Sequence, residues 1–159
     1  MKRTALILTL FIALFGMVPS LYLTKVHYNL KNAQEGGTGC DILDFGDGFE
    51  CDIVNQSPWS EMFGIPIAFL GFLFYACVVV HAFAALLQWK HAEKMLIFVH
   101  FLTILSIFYS AYLFYIAHVV LDALCIFCII MYAMNIALCI STKMCFQKTY
   151  KELVQSLTL

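Results

Sequence analysis

The chain has 159 residues, of which 63% are hydrophobic and only 12% charged, with a formal net charge of −1. A soluble domain of this length carries about twice that share of charge, which argues against a water-soluble globular fold. With no basic patch and no aromatic RNA-binding motif, a nucleic-acid partner is not expected either.

Four stretches lack any Asp, Glu, Lys or Arg: Thr4–Thr24, Met62–Trp89, Met95–Leu121 and Ala123–Thr142. Each reaches the ~20 residues an α-helix needs to cross a bilayer. In lipid only helices and closed barrels satisfy every backbone N–H and C=O, and alternating barrel patterns are absent. The expected fold is therefore an all-α integral membrane protein. It is a four-transmembrane-helix bundle with helices at about 4–24, 62–89, 95–118 and 123–142, and an outer loop over 25–61 caps the site.

The first segment begins with Lys2-Arg3 and reaches Pro19-Ser20, as a signal peptide does. It lacks an A-x-A-like cleavage site, and its apolar character continues through Leu21-Tyr22-Leu23, so a retained helix is expected. The loop that follows holds two glycine-rich turns, Gly36-Gly37-Thr38-Gly39 and Gly46-Asp47-Gly48, each followed by a cysteine: Cys40 and Cys51. Trp59, with its apolar ring and polar N–H, suits the membrane interface. Pro66 is expected in the first turn of the second helix, where proline is tolerated. Short connections then make the second, third and fourth helices antiparallel neighbours. The whole chain, 1–159, is expected to form a single membrane domain.

The basic residues orient the bundle. With the N-terminus inside, Lys2, Arg3, Lys90, Lys94, Lys143, Lys148 and Lys151 fall on the cytoplasmic side and only Lys25 and Lys31 outside. That is the positive-inside pattern. Cys40 and Cys51 then share the outer side with Cys125 and Cys128, in or beside a compartment that permits disulfides. Cys77, Cys139 and Cys145 lie within or below the helices, where a free cysteine behaves as a small buried hydrophobe.

The Cys125-x-x-Cys128 pair opens the fourth helix. A helix N-terminus favours the thiolate, the nucleophilic form, and Asp122 is a candidate N-cap. On a 3.6-residue period Cys125, Cys128, Tyr132, Asn135 and Cys139 form one stripe, which suggests a pocket between helices. Zinc is the competing chemistry, since four cysteines can hold it, but ten residues separate the loop pair where structural zinc takes close pairs. Haem between His81 and His100 would rest on two lone histidines. Redox chemistry therefore ranks above metal binding, and metal binding above packing alone. A loop thiolate can attack a disulfide at the helix terminus and pass electrons inward. No flavin, nucleotide or haem motif is visible, so the electrons are expected to leave to a lipid-soluble quinone.

These residues resemble the vitamin K epoxide reductase (VKOR) family. Cys40 and Cys51 are followed by Ser57, Trp59 and Phe63-Gly64-Ile65-Pro66. Ser110-Ala111-Tyr112-Leu113-Phe114-Tyr115 precedes Cys125-Ile126-Phe127-Cys128, and Tyr132 and Asn135 follow at the family's offsets. The resemblance implies a quinone-coupled thiol oxidoreductase on a four-helix bundle, with Cys125 and Cys128 the active pair and Cys128 facing the quinone. Cys40 and Cys51 would be shuttle cysteines, and Ser57, Trp59, Phe63, Tyr132 and Asn135 the quinone-binding or pocket residues, with no metal. Ubiquinone, menaquinone or a vitamin K type quinone would be the cofactor. A single-domain member, with no fused thioredoxin-like domain, implies a separate thioredoxin-like partner on the outer or lumenal side.

In a bacterial inner membrane, with the site facing the periplasm, such a protein would support disulfide bond formation. In the endoplasmic reticulum the same thiols would reduce vitamin K epoxide or quinone. A reading of another class is a non-catalytic membrane scaffold whose loop is stapled by Cys40 and Cys51.

Overall fold

The computed structural model describes residues 3–32, 50–89 and 92–145. Cys40 lies outside the described residues, as does the middle of the loop. Helix α1 (Arg3–Asn32) is followed by the short α2 (Cys51–Gln56) and a 3-10 turn, Pro58–Ser60. Strands β1 (Glu61–Met62) and β2 (Ile65–Pro66) form a small hairpin. Helices α3 (Ile67–Leu86), α4 (Ala92–Tyr115) and α5 (Ile126–Cys145) complete the bundle. Four helical segments are long and apolar enough to cross a membrane.

The packing is that of a membrane protein. Phe11, Phe15, Val80, Phe101 and Phe108 point outward and are largely exposed, a surface that would aggregate in water and that lipid covers. Small hydroxyl residues sit inside instead: Thr9, Ser20, Thr103, Ser141 and Thr142 are buried. Without a hydrophobic drive between helices, close approach and interhelical hydrogen bonds hold the bundle together. At the end remote from the loop, the Thr9 hydroxyl lies 3.0 Å from Ser141 Oγ and joins α1 to α5. Near the middle, α1 approaches α3 so closely that Gly16 faces the ring of Tyr75. A Cβ there would lie 2.5 Å from Tyr75 Cε1.

Several boundaries differ from expectation, each for a local reason. Helix α1 runs through Pro19 and eight residues beyond Thr24, so the segment expected to begin the loop is helical to Asn32. Its extra turns carry His27 and Lys31, which hold the cap in place. The second long helix starts at Ile67 instead of 62, because Phe63 and Gly64 take positive φ angles of 54° and 78° and turn the chain back into the hairpin. Two adjacent left-handed residues are the signature of a type I′ turn. Pro66 is therefore the residue before the helix, at φ −57° and ψ 132°, instead of a member of its first turn.

The turn before α5 also differs. Asp122 is not an N-cap. It adopts φ 48°, and Ala123 N–H donates to the carbonyl of Ala117 at 3.1 Å, so Asp122 is the left-handed residue that closes the preceding helix. That helix ends in a π turn, Ile116–Val120. The fourth span then begins at Ile126 and reaches Cys145, three residues later at each end than the 123–142 expected.

Candidate active site

The short α2 and the 3-10 turn lie over the open end of the bundle. Cys51 joins Leu23, Val26 and Cys125 in one buried cluster, which seats the cap on the end of α1. Polar contacts fix its position. Asn55 Nδ2 donates to the Leu23 carbonyl at 3.2 Å, and His27 Nδ1 lies 2.9 Å from the Asn55 carbonyl oxygen. His27 Nε2 and Lys31 Nζ both reach Glu61 Oε1, at 2.9 and 2.6 Å. The Lys31 ammonium foremost, then His27, holds the Glu61 carboxyl below its ordinary range. The extension of α1 is thus a post to which the cap is tied.

Beneath the cap lies a cavity of about 700 Å³ between α3, α4 and α5, within the size range of small-molecule sites. Cys125 and Cys128 line it, as do Ser57, Trp59, Tyr132 and Asn135. Six of the expected site residues therefore share one wall system. A third cysteine, Cys51, approaches from the cap. Its thiol donates to Cys125 Sγ at 2.9 Å. Cys125 is 2% exposed and Cys51 4% exposed, so these two sulfurs are shielded from solvent, whereas Cys128 is half-buried.

The chain enters α5 in a way that orders the two thiols. Ile129 N–H donates to the Cys125 carbonyl at 3.1 Å, which makes Cys125 the N-cap residue and places Cys128 in the first turn. Cys125 thus meets Cys51 of the cap, and both thiols of the pair line the cavity. Trp59, Tyr112 and Tyr132 add aromatic rings to the walls; Trp59 meets Tyr112 edge-on at 6.4 Å, and Phe114, outside the lining, meets Tyr132 edge-on at 6.2 Å. Tyr132 follows Cys128 by about one helical turn and also lines the cavity. Ser57 Oγ donates to the Val54 carbonyl at 2.8 Å and so closes the end of α2.

One expected pocket residue is elsewhere. Phe63 occupies the tip of the hairpin, is 98% exposed and does not line the cavity. The type I′ turn puts its first central residue at the tip, facing away from the bundle. Cys139 lies on the expected stripe of α5 but below the cavity lining. Cys77 lies 3.5 Å from His81 of its own helix, and Cys145 donates to the Ser141 carbonyl. His100 Nδ1 lies 2.8 Å from Thr142 Oγ1. Among the described residues, no three His, Cys, Asp or Glu side chains are grouped to hold a metal ion.

Tyr75 was not among the expected site residues. Its hydroxyl donates to Asn135 Oδ1 at 2.7 Å, and Asn135 Nδ2 donates to Ser110 Oγ at 2.9 Å. Tyr75 sits in an uninterrupted apolar run, and the signal that could have found it is the phenol itself, which needs a partner when buried.

The donor set suits a quinone: an apolar cavity open between membrane helices, two thiols at one end and a few neutral hydrogen-bonding groups. No curated protein matches the chain. The family model for the vitamin K epoxide reductase family matches residues 7–143. Proteins of that family are oxidoreductases that link thiol chemistry to quinones. With this match over most of its length, and the cysteine pair set beneath a capped cavity, the chain belongs to the vitamin K epoxide reductase family.

Proposed function

We propose that this protein is a quinone-dependent thiol–disulfide oxidoreductase. It takes electrons from a thioredoxin-like partner through Cys40 and Cys51, then through Cys125 and Cys128, to a membrane quinone. The observation that carries the reading is the 2.9 Å contact between Cys51 Sγ and Cys125 Sγ. A disulfide needs the sulfurs at about 2.0 Å, so side-chain motion of roughly 1 Å suffices for exchange.

The exchange balances as follows. The Cys51 thiolate attacks Cys125 Sγ of the Cys125–Cys128 disulfide, the S–S bond breaks, and Cys128 leaves as the thiolate. Cys40 then attacks Cys51, which forms the Cys40–Cys51 disulfide and frees Cys125. The reduced Cys125/Cys128 pair gives up two electrons and two protons to the quinone and closes its disulfide again. A thioredoxin-like dithiol reduces Cys40–Cys51 for the next cycle. Both thiols line the cavity, but Cys125 is engaged by Cys51, which leaves Cys128 as the sulfur next to the quinone. The orientation expected from the basic residues puts this site on the periplasmic or lumenal side, where a thiol donor is secreted protein in the course of oxidation.

The test is quinone reduction by the purified protein in micelles, with a reduced thioredoxin-like protein or a small dithiol as donor. Both donors should support reduction, and Cys51→Ser should abolish the protein-driven rate while much of the small-dithiol rate survives. Absence of quinone reduction with either donor, or a protein-driven rate indifferent to Cys51→Ser, would refute the proposal. Supplying vitamin K epoxide in place of quinone separates epoxide reduction from disulfide formation in the same assay.

A further inference from the structure

The cavity has a second polar end. Tyr75 of α3, Asn135 of α5 and Ser110 of α4 meet there, and all three line the cavity. Tyr75 is 1% exposed and Ser110 8% exposed. Two of the group's four polar hydrogens are spent inside it, which leaves one on the Asn135 amide and one on Ser110. The Tyr75 hydroxyl goes to Asn135 Oδ1, and an Asn135 amide hydrogen goes to Ser110 Oγ. Ser110 accepts in this chain, and among the described residues no acceptor receives its own O–H. A buried hydroxyl hydrogen at a cavity wall calls for a partner.

The spacing says which partner. Cys128 and Asn135 are seven residues apart on α5, about 10 Å along the axis. A para-quinone carries its two carbonyl oxygens roughly 5 Å apart by standard bond lengths. Adding a contact of about 3 Å at each end gives roughly 11 Å, which matches the distance from the thiols to the polar group. A quinone with one carbonyl beside Cys128 and Tyr132 therefore brings its other carbonyl to Ser110.

We propose that Ser110 donates a hydrogen bond to the quinone carbonyl remote from the cysteines. Asn135 orients the Ser110 hydroxyl, and Tyr75 locks the Asn135 amide. Ser110 is then a binding residue, and Asn135 and Tyr75 are positioning residues. The site selects ligands with a second oxygen opposite the first, and it rests on the quinone reading above. Interhelical hydroxyl pairs also hold membrane bundles together, so the test must separate recognition from packing.

The probes are 2,3-dimethyl-1,4-naphthoquinone, whose blocked ring positions prevent thiol addition, and 2,3-dimethylnaphthalene, which has the same outline without oxygens. Binding is measured to the full-length oxidised protein in micelles, where no electrons are available for turnover. Ser110→Ala should weaken the quinone about 2- to 13-fold, the loss of one neutral hydrogen bond, and leave the hydrocarbon unchanged. Tyr75→Phe should weaken the quinone by a smaller factor, again without effect on the hydrocarbon. Should Ser110→Ala fail to fold, Ser110→Thr and Ser110→Val form a pair of equal shape. Thr keeps the hydroxyl and should bind the quinone more tightly than Val. Equal losses for quinone and hydrocarbon, or no loss for the quinone, would overturn the proposal. If the unmodified protein binds no quinone, the broader quinone reading fails, a result distinct from a quinone that binds but ignores Ser110.

Discussion

Gly16→Ala is a small change whose effect follows from one contact. The added Cβ would stand 2.5, 2.7 and 2.8 Å from Cε1, Cζ and Cδ1 of Tyr75. Carbon atoms pack best at about 3.5–4.0 Å, so the ring must withdraw by roughly 1 Å. Tyr75 is fully buried, and its hydroxyl is held by Asn135 at 2.7 Å. A shift of that size takes an O–H···O bond beyond its useful range of about 3.0 Å. Overpacking costs about 1–3 kcal/mol and the lost hydrogen bond about 0.5–1.5 kcal/mol. The gain in helix propensity from Gly to Ala offsets at most about 1 kcal/mol. With that offset in full, the expected net loss is about 0.5–3.5 kcal/mol, together with weaker quinone binding because Asn135 is released. Gly71→Ala is the control. Its Cβ would meet Ser20 Oγ at 3.4 Å and Met131 Cε at 3.6 Å, ordinary contact distances, so it should be neutral or slightly stabilising. Reversible unfolding of both variants in micelles measures the difference. A Gly16→Ala protein as stable as the Gly71→Ala protein would refute the close approach of α1 and Tyr75.

Other outcomes follow from the same geometry. In Cys128→Ser the Cys125 thiolate should attack Cys51 of the Cys40–Cys51 disulfide and release Cys40, which leaves a Cys51–Cys125 cross-link that no Cys128 thiol can displace, the sulfurs already lying 2.9 Å apart. Non-reducing peptide mapping reads it, and a Cys40–Cys125 link in its place would reverse the relay order. Tyr132→Phe should weaken apparent quinone affinity by about 0.5–1.5 kcal/mol, the worth of one neutral hydrogen bond, and Tyr132→Ala by more. Unchanged affinity in both, with stability intact, removes Tyr132 from the site. Glu61, lowered from its ordinary 4.5 by Lys31 and His27, stabilises the cap at pH above 4.5 and stops doing so as pH falls through its depressed value. Quenching of Trp59 fluorescence in a Trp89→Phe background should therefore rise in acid below about pH 4.5. Glu61→Gln should show the quenched level at neutral pH, and a flat profile in the parent would break the link between Glu61 and the cap.

The composition alone determines that this chain crosses a membrane four times, because an uncharged run of about 20 residues has no stable alternative in lipid. Cys125, Cys128, Tyr132 and Asn135 were legible for a related reason: they repeat on one face of a helix whose geometry is regular. What happens at the helix ends was not legible. Asp122 reads equally well as an N-cap or as a left-handed C-terminal residue, and the hydrogen bond from Ala123 to Ala117 decides between them. Phe63 reads as a pocket aromatic until the positive φ angles at 63 and 64 put it at a hairpin tip. Tyr75 and Ser110 come from different helices and meet only through Asn135, a contact set by how closely α1, α3, α4 and α5 approach. Local periodicity fixes which face a residue occupies. Which faces come together, and which hydroxyl is left facing the cavity, depends on interhelical packing, to which Gly16 contributes by admitting the Tyr75 ring.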